Sequence, residues 1–263
     1  MASNDEVLVT RRGQALILTF NRPDHANAMT MDMASQLHLH LKNATTDRSV
    51  RAVLLRGAGG NYMDGLDMGF YKKNFSDALE KANQIIQPYH MAIRELQVMD
   101  KPVISLAEGY VSGTGLSFLL ASDFVLSARS AIFCSRVMEY GLTPDGGCSF
   151  FLTRKIGMSR ALEILMLSEE IPADRAKSLR LINRIIEDDK VEEEAMAWLD
   201  RFANGPTKAY GAIKKMVNKA FDQDLNAQLG LEHSYFGQSS RSFDFREAVR
   251  AAVENRDPKF SGT

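Results

Sequence analysis

Lys101-Pro-Val-Ile-Ser-Leu-Ala-Glu-Gly-Tyr-Val-Ser-Gly-Thr-Gly115 runs directly into Leu116-Ser-Phe-Leu-Leu-Ala-Ser-Asp-Phe124 in the middle of the chain. Lys101 to Ala107 is a short apolar run closed by glycine, the pattern of a strand. Gly109 to Gly115 is a glycine-rich turn. Leu116 to Ala121 begins a helix, Phe124 to Ser127 is a second strand, and Ala131 to Cys134 suits another. Strand, turn, helix and strand in this order indicate an α/β chain with crossover connections.

The flanking sequence extends the same plan. Glu6 to Arg12 and Gln14 to Phe20 are rich in Val, Leu and Ile and flank Gly13, so they are expected to form a strand pair with a tight turn. After the polar loop 21–27, Thr30 is placed to cap a helix running to about Ala44. Arg51 to Arg56 is a short β-type run, Gly57 to Asn61 a loop, and Ser76 to Val98 carries apolar residues at helical spacing. After about Thr143 the pattern turns helical: Glu187 to Phe202, Pro206 to Phe221, Leu225 to Ser239 and Phe243 to Asn255. The expected organisation is an α/β core over residues 1–200 and a helical region over 201–263, packed on the core or on a neighbouring subunit.

Bulk properties exclude several classes. Hydrophobic residues at 45% and charged residues at 25% describe a globular chain rather than a disordered one. A net charge of −1 supplies no general basic surface for nucleic acid. Cys134 and Cys148 are too few for a disulfide framework and fit a reducing compartment. The acidic, polar start has neither the apolar core of a signal peptide nor the arginines of a transit peptide, and Ser-Gly-Thr at the end is no peroxisomal address. The apolar stretch near Leu116 to Leu126 is too short to span a bilayer, so a cytoplasmic protein without membrane or nucleic-acid partners is expected. His38 and His40, two residues apart, do not share a helix face, and no metal site is expected. Phosphate-loop, dinucleotide and nucleophile-elbow motifs are absent.

Two places put a glycine between a strand and a helix: Asn61-Tyr-Met-Asp-Gly-Leu-Asp67 and Gly109 to Gly115. Glycine admits positive φ and close approach of backbone to a ligand. Backbone N–H groups just past such turns can face a cavity, and two of them can bind one developing oxyanion. The plainer alternative is that these glycines only make connections.

Taken together, these motifs resemble the crotonase (enoyl-CoA hydratase/isomerase) superfamily. The resemblance is carried by Gly13-Gln-Ala-Leu-Ile-Leu-Thr-Phe-Asn-Arg-Pro23 with Asn27 and Ala28, by Leu55 through Asp67, by Lys101 through Gly115 with Ala121 to Phe124, and by Arg246 through Phe260. It implies a spiral of repeated ββα units with a helical C-terminal region. It also implies an acyl-CoA thioester substrate, with no separate cofactor because the CoA arrives as part of the thioester. The implied oxyanion donors are the N–H groups of Leu66 and Thr114, where Thr114 replaces the family's usual glycine. Arg22, His25, Ala26, Asp64, Gly65, Leu66 and Thr114 are the implied CoA-thioester contacts, with Lys259 a further source of charge for the phosphates. Ala252 and Asn255 stand where some relatives keep an aromatic and a lysine.

Hydratases of the family hold one water between two glutamates. Those positions are Ser117 and Val137 here, and neither side chain is a carboxylate; Glu139 lies two residues from Val137. Gly141-Leu-Thr-Pro-Asp-Gly-Gly-Cys148 resembles the segment from which Δ3,Δ2-enoyl-CoA isomerases present a single acid, which falls on Asp145. Thr143 as cap, Pro144 as first residue and Asp145 in the first turn would also suit a helix start. Asp64 reads either as a solvated loop carboxylate or as a contact to CoA or to a polar acyl group, and Asp67 as a helix cap. The readings are a single-acid isomerase, a hydrolase or hydratase-like enzyme using Asp145, and a non-catalytic acyl-CoA binder. The resemblance also implies a homotrimer or dimer of trimers whose helical tail completes a neighbour's pocket.

Overall fold

The computed structural model describes residues 5–263. Residues 1–4, part of the acidic start noted above, lie outside the described residues.

The chain opens with β1 (Val7–Arg12) and β2 (Ala15–Phe20), paired antiparallel from Val7 opposite Phe20 to Arg12 opposite Ala15. Gly13 makes the turn with φ +56°. α1 (Met31–Thr46) follows, with the Thr30 hydroxyl accepting from the Met33 N–H at 3.1 Å, as a Thr cap should. Next come β3 (Ala52–Gly57), β4 (Met63–Asp64), α2 (Met68–Lys73) and α3 (Ala78–Val98). The quoted central stretch forms β5 (Val103–Ala107), β6 (Tyr110–Ser112) and α4 (Thr114–Ala121), then β7 (Phe124–Ala128) and β8 (Ile132–Cys134).

Each turn of the chain sends one strand to each of two sheets before a helix returns it. β1-β2-β3-β5-β7 line up in one sheet, parallel from β2 onward, while β4-β6-β8 line up in the second. This is the expected spiral of ββα units. The inner strands of the larger sheet are covered on both faces and read as near-continuous apolar runs, as parallel strands do. Leu18, Leu54, Leu55, Ile104 and Leu106 are buried there. Phe20 meets Tyr62 edge-on with centroids 5.2 Å apart.

Past Thr143 the chain is less uniformly helical than its pattern suggests. α5 (Cys148–Ile156) and α6 (Met158–Leu167) are followed by β9 (Ile171–Pro172), α7 (Ala173–Ser178) and β10 (Arg184–Ile186). β9 joins the second sheet and β10 the first. Strands this short carry too few residues to show a period. α8 (Val191–Ala203) then runs across the expected boundary at residue 200, and α9 (Thr207–Lys219), α10 (Leu225–Ser239) and α11 (Phe243–Val253) complete the chain.

Buried cations secure the ends of elements. The Lys101 ammonium, 6% exposed, caps α1 by donating to the carbonyls of Ala44, Thr45 at 3.3 Å and Asp47 at 2.6 Å. Arg51 donates to Gln14 Oε1 at 2.8 Å, Thr207 Oγ1 at 2.9 Å and the Phe260 carbonyl at 3.1 Å, tying the tail to the core.

Candidate active site

The first glycine turn follows β4. Gly65 has φ +67°, which an L side chain rarely adopts. Its carbonyl accepts from the Met29 N–H at 2.8 Å, and the Asp67 N–H donates to the Met29 carbonyl at 3.1 Å. These bonds bracket Leu66 and leave its N–H with no acceptor among the described residues. Asp67 is the cap anticipated above: its carboxylate accepts from the Phe70 N–H at 3.1 Å.

The second turn follows β6. Gly113 has φ +49°, and Thr114 is the first residue of α4, two positions earlier than the sequence pattern places the helix start. The N–H of a first-turn residue has no intrahelical partner. The Thr114 N–H finds no other acceptor among the described residues. Parallel pairing sets Asp64 opposite Ser112, so the two turns lie side by side. A Cβ on Gly113 would come 3.1 Å from the Gly65 Cα. The structure therefore brings Leu66 and Thr114, separated in sequence, to the wall of one cleft of about 450 Å3 including its open mouth. Asp64, Gly65, Arg136, Val137, Tyr140 and Asp145 line the same cleft.

Asp145 reaches the cleft from a loop, not from a helix. The expected helix start at Thr143 is corrected: α5 begins at Cys148 with Gly147 as its cap. Gly146 at φ +55° and Gly147 at φ +78° hold left-handed conformations that no right-handed helix can include. The Asp145 carbonyl accepts from the Cys148 N–H at 2.9 Å and from Ser117 Oγ at 3.0 Å. Its Oδ1 accepts from the Tyr89 hydroxyl at 3.3 Å. Burial pushes the Asp145 carboxyl above the usual carboxylate range, opposed by the Tyr89 hydrogen bond and by nearby His90.

The other carboxylates have different surroundings. Asp64 is not the solvated loop carboxylate of the plainer reading. It accepts from Ser112 Oγ at 2.6 Å and from Arg136 Nη1 at 2.6 Å, on the wall of the cleft. Glu139 pairs with Arg136 at 3.2 Å, half-exposed, and is outside the cleft lining. Ser117 is buried on α4 with its hydroxyl given to the Asp145 carbonyl, and Val137 packs on the cleft wall.

Arg22, His25, Ala26 and Lys259 lie outside the cleft lining. The Arg22 guanidinium is engaged by Asp67 at 2.8 Å, Glu6 at 3.2 Å and the Ala28 carbonyl at 2.6 Å. His25 is exposed in the 3-10 turn Pro23–His25. The Ala26 carbonyl accepts from the Asp64 N–H at 3.0 Å, which seats this loop against the first glycine turn. Ala252 and Asn255 are exposed.

Four residues at the site escaped the sequence reading. Tyr89 sits on the buried stripe of α3 with Ile85, Ala92, Ile93 and Leu96. A tyrosine on such a stripe signals a hydroxyl needing a partner. His90 Nε2 accepts from the Gly146 N–H at 3.1 Å. Arg136 adopts φ +51° on the cleft wall, a conformation that its sequence does not advertise. The Tyr71 hydroxyl is buried without a hydrogen-bond partner among the described residues.

A family model described as enoyl-CoA hydratase/isomerase matches residues 11–263. The chain is 32% identical over 248 residues to the 1,2-epoxyphenylacetyl-CoA isomerase of Escherichia coli (strain K12), covering 94% of this chain and 95% of that protein. It is 32% identical over 246 residues to a probable enoyl-CoA hydratase of Rhodobacter capsulatus, with 94% of each covered. The crystal structure of an enoyl-CoA hydratase from Polaromonas sp. JS666 superposes with a TM-score of 0.91 at 30% identity, covering 97% of this chain and 99% of that one. With its spiral of ββα units, its paired glycine turns and a match over nearly its whole length, the chain belongs to the enoyl-CoA hydratase/isomerase family.

Proposed function

We propose that the chain is a Δ3,Δ2-enoyl-CoA isomerase in which Asp145 is the one acid/base and the Leu66 and Thr114 N–H groups stabilise a dienolate. One observation carries this reading: Asp145 lines the same cleft as both donors, while Ser117 and Val137 provide no second carboxylate.

The thioester carbonyl oxygen of an acyl-CoA accepts from the two N–H groups. Asp145 takes a proton from C2 of a 3-enoyl group, and the charge moves to the oxygen as the dienolate forms. The same carboxyl returns the proton to C4. One donor of this kind contributes about 3–4 kcal/mol to the transition state. Burial brings the Asp145 carboxyl toward the range where it both takes and gives a proton. The Escherichia coli relative is itself named an isomerase of a CoA thioester.

The same reading assigns the CoA end to the loop around His25 and Ala26 and to Lys259, with Arg22 holding the loop through its ion pairs. We assign the protein to the cytoplasm as a homotrimer or dimer of trimers. Exposed apolar residues of the C-terminal helices, among them Val217, Leu229, Phe236 and Val249, support the assembly.

The test is incubation with trans-3- and trans-2-enoyl-CoA of medium length. Absorbance follows conjugation, and mass spectrometry separates isomer, water adduct and free CoA. Conjugation of the 3-enoyl substrate, abolished in Asp145→Ala, is expected. Water addition or CoA release in place of isomerisation overturns the proposal.

A further inference from the structure

Two consecutive residues of α3 hold the Asp145–Gly146 segment. Tyr89 donates to Asp145 Oδ1 at 3.3 Å, and His90 Nε2 accepts from the Gly146 N–H at 3.1 Å. Tyr89 is fully buried, and its ring lies 5.3 Å from that of Phe118, so the hydroxyl has no open space to swing into. The contact is close: a Cβ on Gly146 would fall 1.8 Å from the Tyr89 oxygen. Ser117 holds the Asp145 carbonyl from α4. Asp145 Oδ2 accepts no hydrogen bond among the described residues.

We propose that Tyr89 is the positioning residue of the acid/base: its hydroxyl holds Asp145 Oδ1, which makes Oδ2 the oxygen that exchanges the substrate proton. This rests on the isomerase reading of Asp145. A C2–H bond breaks as an O–H bond forms on Oδ2; that O–H bond then breaks as C4–H forms. Tyr89 keeps its own proton throughout, because burial holds the phenol far above its ordinary range. His90 fixes the peptide that follows, so the carboxylate cannot rotate by moving its backbone.

Several other titratable groups face this carboxyl or share its cleft. Tyr71 from α2 is raised by burial, and the Cys148 thiol on α5 is pushed up to about 12, so both stay neutral while a carboxylate titrates. Asp64 and Arg136 on the cleft wall pair with each other, and Arg136 also with Glu139. His90 from α3 faces it as well, through its bond to the Gly146 N–H. His90→Gln keeps an acceptor for the Gly146 N–H and removes the imidazole.

The experiment compares wild type, Tyr89→Phe and Ser117→Ala, each also in the His90→Gln background. Turnover of a trans-3-enoyl-CoA is followed against pH. In parallel, the Asp145 carboxyl is titrated by infrared difference against Asp145→Asn, which needs no substrate. For Tyr89→Phe the expected results are kcat lower by about 10–30-fold, less than the roughly 10²–10⁴-fold of a full acid–base contribution because Asp145 itself remains, and KM within about twofold. The acid limb of kcat/KM and the carboxyl titration should both move to higher pH, because a donor to the carboxylate is gone. Ser117→Ala removes the donor to the Asp145 carbonyl but keeps the Tyr89 bond to Oδ1, so both should move much less than in Tyr89→Phe. If limb and titration stay put in Tyr89→Phe, the positioning role is overturned, whatever happens to kcat. If wild type turns over no enoyl-CoA yet the titration still moves, the Tyr89–Asp145 coupling stands and the isomerase reading falls.

Discussion

The Ser112 hydroxyl donates to Oδ1 of Asp64 at 2.6 Å, one residue ahead of the glycine in each turn of the cleft. The bond adds a side-chain link to the backbone pairing of β4 with β6, and Arg136 Nη1 closes on the same oxygen at 2.6 Å. The spacing of the Leu66 and Thr114 donors is thus held by side chains as well as by the sheet.

Asp64→Ala removes this link. A sub-ångström drift of one donor weakens transition-state binding more than substrate binding, so kcat should fall about tenfold with KM little changed. The pair is part-exposed, with side chains at 31% and 29%, so the stability loss should stay near about 1 kcal/mol. Urea unfolding and steady-state kinetics on the same preparation check both numbers.

Replacing the Leu66 amide by an ester through semisynthesis removes one proton and leaves the side chain. Because that N–H binds no group among the described residues, the fold should lose little. The expected loss in kcat is about 10²–10³-fold. An ester variant with unimpaired kcat would remove Leu66 from the proposed oxyanion site.

Asp145→Asn separates activity from stability. Turnover should disappear. In the wild type the folded carboxyl is raised by burial, so the folded state holds its proton more tightly than the unfolded chain. Its stabilising contribution is present below the unfolded pKa and is lost as pH rises toward the raised folded value. The Asn variant has no such loss. Its thermal midpoint relative to wild type should therefore climb between pH 4 and pH 7, by about 2–4 °C if the burial cost is about 1 kcal/mol.

Gly146→Ala should be severe. The residue has φ +55°, and the new methyl would overlap the buried Tyr89 hydroxyl. A loss of about 2–4 kcal/mol in stability and near-complete loss of turnover are expected. Pairing it with Tyr89→Phe should recover little, because the ring carbon at 2.3 Å and Ser117 Cβ at 2.9 Å still crowd the methyl and the φ strain remains.

The strand–glycine–helix order around residues 101–124 was legible because its causes are local: apolar runs of strand length, glycine at positive φ, and helical spacing. The Asp67 cap was legible for the same reason, since cap and first turn lie within three residues. Thr143-Pro144-Asp145 satisfies the rules for a helix start, yet Gly146 and Gly147 override them by turning left-handed. Arg22 looks like a free cation in sequence, and only folding brings Glu6 and Asp67 to it.

By itself the sequence determined the alternation of strands and helices and the two glycine turns, because turn geometry is a property of short segments; the spiral of ββα units and the proposed roles of Leu66, Thr114 and Asp145 came from its resemblance to a family. The tertiary structure alone decided the setting of Asp145. Tyr89 is 56 positions away along the chain. Whether that carboxyl is buried, which oxygen is held and which is free depend on how α3 packs against the loop, and no local pattern encodes that packing.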